Sequence, residues 1–117
     1  MKDNSKIDFN KIIPFDWDEI YIFEPYIPRE KIFNTVGSKW ISSDTTFIEY
    51  LFSESTGLYT ANLKKIVFLN NKKVIYDTNY NKYTFDFSEN YYSKQNHVFN
   101  IKRKKIDNMY IFIFYAK

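Results

Sequence analysis

"MYIFIFYA", residues 109–116, is the most restrictive stretch of the chain. Side chains of an extended strand alternate between its faces. Tyr110, Phe112 and Phe114 therefore point one way, and Ile111, Ile113 and Tyr115 the other. A strand apolar on both faces belongs inside a sheet whose two sides are covered. At an open edge it would template aggregation. The segment is thus expected to pair on both edges. One face would lie under a helix, and the other under loop aromatics or a partner.

The pattern elsewhere agrees with a sheet protein. "DEIYIFE" (18–24) alternates Ile20 and Ile22 against Tyr21 and Phe23, so it too needs cover on both faces. Period-two runs recur over 45–53, 60–69, 73–78, 82–88 and 97–103. Short polar turns join them, and short connections favour antiparallel neighbours. "NNKK" is a tight-hairpin signal, with Asn70-Asn71 suited to left-handed dihedrals. The helical stretch is 28–36. Pro28 suits a first helical position, Glu30 the first turn, and Gly37 a left-handed stop. Ile32, Phe33 and Val36 supply the apolar stripe.

These segments predict an α+β domain over 14–117, behind a flexible tail over 1–13 with Phe9, Ile12 and Ile13 as late anchors. Its core would be a single twisted, mainly antiparallel sheet of six to seven strands with one short N-terminal helix packed on it. So large a sheet outruns one short helix. Either it curls on itself, or its second face meets a partner, giving an oligomer. A chain of 117 residues is one domain's worth.

Several chemistries are excluded or weakened by composition. With no cysteine, there are no disulfides, thiolate metal sites or cysteine nucleophiles. His97 is the single histidine, and no G-x-S-x-G elbow accompanies it. It opens a strand, so a structural or surface role is expected and no metal site or cofactor is predicted. Asp16, Asp18, Glu19 and Glu24 form an acidic set around Trp17. They define a hydrolase alternative, since paired carboxylates cleave glycosides. The simpler reading is a strand entry in which Asp16 and Asp18 flank Trp17, while Pro25 and Pro28 turn the chain into the helix.

Net charge is +3, too mild for a dedicated nucleic-acid binder. Lysine also far outnumbers arginine, the residue best suited to bidentate base contacts, so no specific nucleic-acid partner is expected. The densest basic run is "KRKK": Lys102, Arg103, Lys104 and Lys105, at the turn between the last two strands. Such a tip can meet anionic lipid, teichoic polymer or nucleic acid. It is also what a solvated, edge-protecting turn looks like. Aromatics number 25, more than one core needs. Abundant Lys, Asn, Ile, Tyr and Phe reflect A/T-rich codons, as in a low-G+C bacterium or its phage, which accounts for part of the excess. Trp17, Tyr26, Tyr91 and Tyr92 are the aromatic candidates for a binding face, because tyrosine joins a rigid apolar ring to a polar end.

Phe15, Asp16, Trp17, Asp18, Tyr21, Phe23, Pro25, Tyr26, Glu30 and Ile32 form a block that resembles the start of a group of small bacterial proteins of unknown function. Many of these are predicted lipoproteins. "KKIVFLNNKKVIYD" is similar to their middle section. The resemblance implies a surface-exposed, tethered domain, and it brings no activity or catalytic residues. "KDNSKIDFNK" lacks the apolar core of a signal peptide. A cell-surface or secreted location therefore requires a removed leader, and otherwise the protein is cytoplasmic. No run approaches the ~20 apolar residues of a membrane span. The expected function is a non-enzymatic binding domain contacting a protein or cell-envelope polymer. The alternatives are a small intracellular inhibitor or immunity protein, and the hydrolase.

Overall fold

The computed structural model describes residues 5–38, 40 and 63–116. Among these residues eight strands are formed: β1 (Ser5–Asp8), β2 (Glu19–Phe23), β3 (Leu63–Asn70), β4 (Lys73–Asn81), β5 (Phe85–Phe87), β6 (Tyr91–Ser93), β7 (Val98–Ile106) and β8 (Met109–Ala116). Two α-helices accompany them, the single turn α1 (Phe9–Ile12) and α2 (Arg29–Val36), with a 3-10 turn at Lys94–Asn96. The strand expected over 45–53 lies outside the described residues. The protein is a mostly-β member of the α+β class.

The expected single sheet is corrected to two sheets of four strands, ordered β1-β7-β8-β5 and β4-β3-β2-β6. Pairing is antiparallel except for β5, which runs parallel to β8. From β4 to β7 the chain changes sheet at every connection. Alternation tells which residues share a face, but it is the same whichever sheet a strand joins. The cover that a single sheet would have needed from a partner comes from the second sheet of the same chain. Ile20, Ile22, Ile66, Phe68 and Tyr92 from one sheet meet Phe87, Phe99, Ile101 and Phe114 from the other.

The stretch read as a tail takes part in this core from Ser5 onward. β1 pairs with β7. Asp8 then caps α1 by accepting from the Asn10 N–H at 2.9 Å. The turn carries Phe9 between the sheets, where its ring lies 4.5 Å from Phe99 and 6.0 Å from Phe87. Of the other two anchors, Ile13 packs against this core and Ile12 is exposed.

Helix α2 packs on the outer face of the β4-β3-β2-β6 sheet, where Ile32 and Val36 join Phe23, Val67 and Leu69. Both faces of β2 are thereby covered, as its pattern demands. The helix covers β2 and β3, not β8 as expected. β8 does lie between two strands, pairing with β7 along its length and with β5 over Phe112–Phe114. Pro28 is the N-cap, with extended φ −61° and ψ 143°, and not the first helical residue. Gly37 ends the helix at φ 85°, its N–H donating to the Phe33 carbonyl at 2.8 Å.

Two turns differ in detail from expectation. The β3–β4 loop is Asn71-Lys72, with φ of 52° and 69°, one residue later than anticipated. Two left-handed residues match the right-handed twist of a hairpin. The strand expected over 82–88 shortens to β5 because Asn81 captures the preceding turn. Its side chain accepts from the Tyr83 N–H and its carbonyl from the Thr84 N–H.

Candidate functional site

The acidic set of the opening block is tied into the fold. Asp18 Oδ2 accepts from the Asn71 N–H at 3.0 Å, pinning the β3–β4 hairpin. Glu19 takes the Tyr91 hydroxyl at 2.9 Å and faces Lys72 at 3.7 Å. Glu24 and Asp86 share Lys64, at 3.1 and 2.9 Å. Burial works against the Lys64 ammonium, but hydrogen bonds to Asp86 and Glu24 outweigh it and raise its pKa. Asp86 also accepts from Tyr80 at 2.7 Å. Burial and then that bond hold the Tyr80 phenol well above 10.

Asp16 remains. It lines a cleft of about 440 Å³ together with Asn10, Ile13, Pro14, Phe15, Trp17 and Lys94. It is the one acid among the described lining residues, whereas glycoside cleavage uses a pair of carboxylates. Trp17 forms the cleft's buried wall at 2% exposure, and its indole N–H is sealed from solvent without a partner.

His97 bonds through Nδ1 to Asp8 Oδ1 at 2.8 Å. A carboxylate only accepts, so Nδ1 carries the proton. That bond, first among several effects, lowers the Asp8 pKa. The pair joins α1 to the start of β7. Among the described residues, no group of three or more His, Cys, Asp or Glu side chains could hold a metal ion. No helix among them is long and apolar enough to cross a membrane.

The basic run stands apart from all of this. Among the described residues, which begin at Ser5, β1 pairs with β7 as far as Ile101, and β5 pairs with β8 from Phe112. Beyond those points, among the described residues, β7 and β8 pair only with each other. They form a two-stranded ribbon with the Asp107-Asn108 turn at its tip. Lys102 to Tyr110 are exposed without a break. Register places Lys102 and Lys104 on one face with Ile106 and Met109, and Arg103 and Lys105 on the other with Tyr110. The Arg103 guanidinium lies 4.6 Å from the Tyr110 ring centre, and the Lys102 ammonium 5.6 Å from that of Tyr115. Such rings hold cations by their negative faces.

The fold thus gathers Lys102, Arg103, Lys104 and Lys105 into one projecting surface. The aromatic candidates lie elsewhere. Tyr92 is buried in the core, accepting from the Glu89 N–H at 2.8 Å. Tyr26 is exposed in the β2–α2 turn at a left-handed φ of 64°. Tyr91 is exposed on β6, packed edge-on against Tyr21 at 4.9 Å. Partial burial and then the bond to Glu19 push its phenol up to about 12. Sequence reasoning missed Ile106, Met109 and Tyr110 as ribbon residues. Along the chain they follow the lysines, and only the hairpin register interleaves aromatics with cations. Compared with known proteins, the chain matches no family model, no curated protein and no solved structure.

Proposed function

We propose that this protein is a non-enzymatic binding domain that engages an anionic partner, on a protein or in the cell envelope, through the β7–β8 ribbon. The observation that carries the reading is the run of four exposed cations on a ribbon where, among the described residues, β7 and β8 pair only with each other. A single turn with two edge lysines would serve solubility. Four consecutive cations, spread over both faces and backed by tyrosine rings, make a concentrated positive field. Three acids of the opening block support the non-enzymatic half, because Asp18 holds a hairpin, Glu19 the Tyr91 hydroxyl and Glu24 the Lys64 ammonium.

The test compares two variants of equal net charge on heparin resin. In one, Lys102, Arg103, Lys104 and Lys105 become Gln. In the other, Lys11, Lys31, Lys72 and Lys73 become Gln. Both should melt like wild type. The ribbon variant should elute at much lower salt, and the other close to wild type. Equal loss in the two variants would mean that net charge alone drives retention, and would remove the basis for the reading.

A further inference from the structure

The ribbon carries more than charge. Its last register pair is Ile106 opposite Met109, 38% and 46% exposed, and Tyr110 beside them is 54% exposed. From the buried Ile101 to Ile106 the strand advances about 16 Å, at about 3.3 Å per residue. Three large apolar side chains therefore occupy the end of an arm, with a collar of cations behind them.

Resting on the binding reading above, we propose that the partner is an anionic lipid bilayer met end-on by the ribbon. Ile106, Met109 and Tyr110 enter the interfacial layer, and Lys102, Arg103, Lys104 and Lys105 lie among the headgroup phosphates. Two observations favour a bilayer over a soluble polyanion or an acidic protein. Cations stand on both faces of the ribbon. A partner lying along one face engages half of them, whereas a planar layer of phosphates approached by the tip engages all four. The exposed apolar tip also gains nothing from a hydrophilic polymer. It gains by leaving water for the boundary of headgroups and acyl chains, about 5–10 Å deep, within the arm's reach. Tyrosine suits that boundary because its ring is apolar and its hydroxyl stays wet. Lysine stems lie along apolar surface while their ammonium groups reach phosphate. Asp107, at the turn with φ 55°, is the one acid of the arm and opposes this binding.

Co-sedimentation of the full chain with vesicles tests the proposal. Wild type should partition onto phosphatidylcholine mixed with phosphatidylglycerol and not onto phosphatidylcholine alone. Replacing the four cations with Gln should weaken partitioning by about 100-fold or more, and raised salt should weaken that of wild type. The tip variant Ile106→Ser/Met109→Ser should lose about 10-fold on vesicles while eluting from heparin resin as wild type does. Asp107→Asn keeps a residue tolerant of positive φ and should bind vesicles several-fold more tightly. Wild type held by heparin but not by the anionic vesicles, or vesicle binding indifferent to the tip variant, would overturn the lipid assignment and leave the binding reading standing. So would equal weakening of the tip variant on vesicles and on heparin. Failure on both vesicles and heparin would overturn both.

Discussion

Lys65 Nζ lies 2.9 Å from Asp77 Oδ2, and both side chains are 1% exposed. The pair links β3 to β4 on the helix side of their sheet, diagonally across the register Val67↔Asp77 and Lys65↔Asn79. Removing Asp77 takes the 2.9 Å bond from an ammonium that sits out of water. Asp77→Ala is therefore expected to lose about 3–5 kcal/mol of stability. Lys65→Met combined with Asp77→Ala should recover a large part of that loss. Urea denaturation of the two single variants and the double variant measures the coupling. Strict additivity would mean that the two charges do not depend on each other.

Gly37 sits at φ 85°, and a Cβ built there meets nothing within 4 Å. The effect of a side chain is thus backbone strain alone. Gly37→Val should lower stability by about 1 kcal/mol or more. Gly37→Asn should be milder, since asparagine tolerates the left-handed region. Thermal melting distinguishes the three proteins, and identical midpoints for Gly, Asn and Val would contradict the cap assignment.

The bond from His97 holds the Asp8 carboxyl below its ordinary value of 3.8. A lowered carboxylate pKa stabilises the fold above the unfolded value, and that stability is lost as pH falls through the folded value. In His97→Ala the Asp8 carboxyl should titrate closer to 3.8, as followed by carboxyl carbon NMR. An unchanged titration would show that the 2.8 Å contact carries no electrostatic weight.

Tyr80 and Tyr91 are both raised above 10, and Tyr91 reaches about 12. Raised phenols keep protons in the folded state that the unfolded state releases. Stability should thus fall as pH rises above about 10. Tyr80→Phe should remove part of that alkaline loss, while losing about 1–2 kcal/mol at neutral pH with the bond to Asp86. Equilibrium unfolding at pH 7 and at alkaline pH reads both effects. Equal alkaline sensitivity in the variant would disprove the assignment to Tyr80.

Phe114 lies among Phe85, Phe87 and Phe99, and is buried. Phe114→Ala should destabilise by about 3–5 kcal/mol. Phe112→Ala should do less, because Phe112 is only half-buried. Truncation before Met109 removes the strand that joins β7 to β5 and should leave no folded domain by circular dichroism. A truncated chain that melts cooperatively would place β8 at the periphery.

Much of this was legible in order along the chain. The bounds of β8 were readable to the residue, but its cover was not, since Met109, Tyr110 and Tyr115 are exposed and, among the described residues, its second edge is paired only over Phe112–Phe114. α2 was readable through Gly37 and its stripe, and β2 through its doubly apolar alternation. The four cations of the ribbon were readable because charge density is a local property. Residues 5–13 were not, since β1 is four residues long and its worth lies in a partner, β7, about 90 positions away.

What the tertiary structure decided is who meets whom. Period-two alternation sorts side chains into faces, yet assigns no strand to a sheet, so two covered sheets and one large sheet look alike in sequence. The same holds for the site. Tyr92 and Trp17 have the composition of binding residues, and burial alone makes them core. Tyr110 and Met109 look like core, yet both are exposed at the end of a ribbon in which, among the described residues, β7 and β8 pair only with each other. Strand length and pairing partners are set by long-range packing, which only the folded chain supplies.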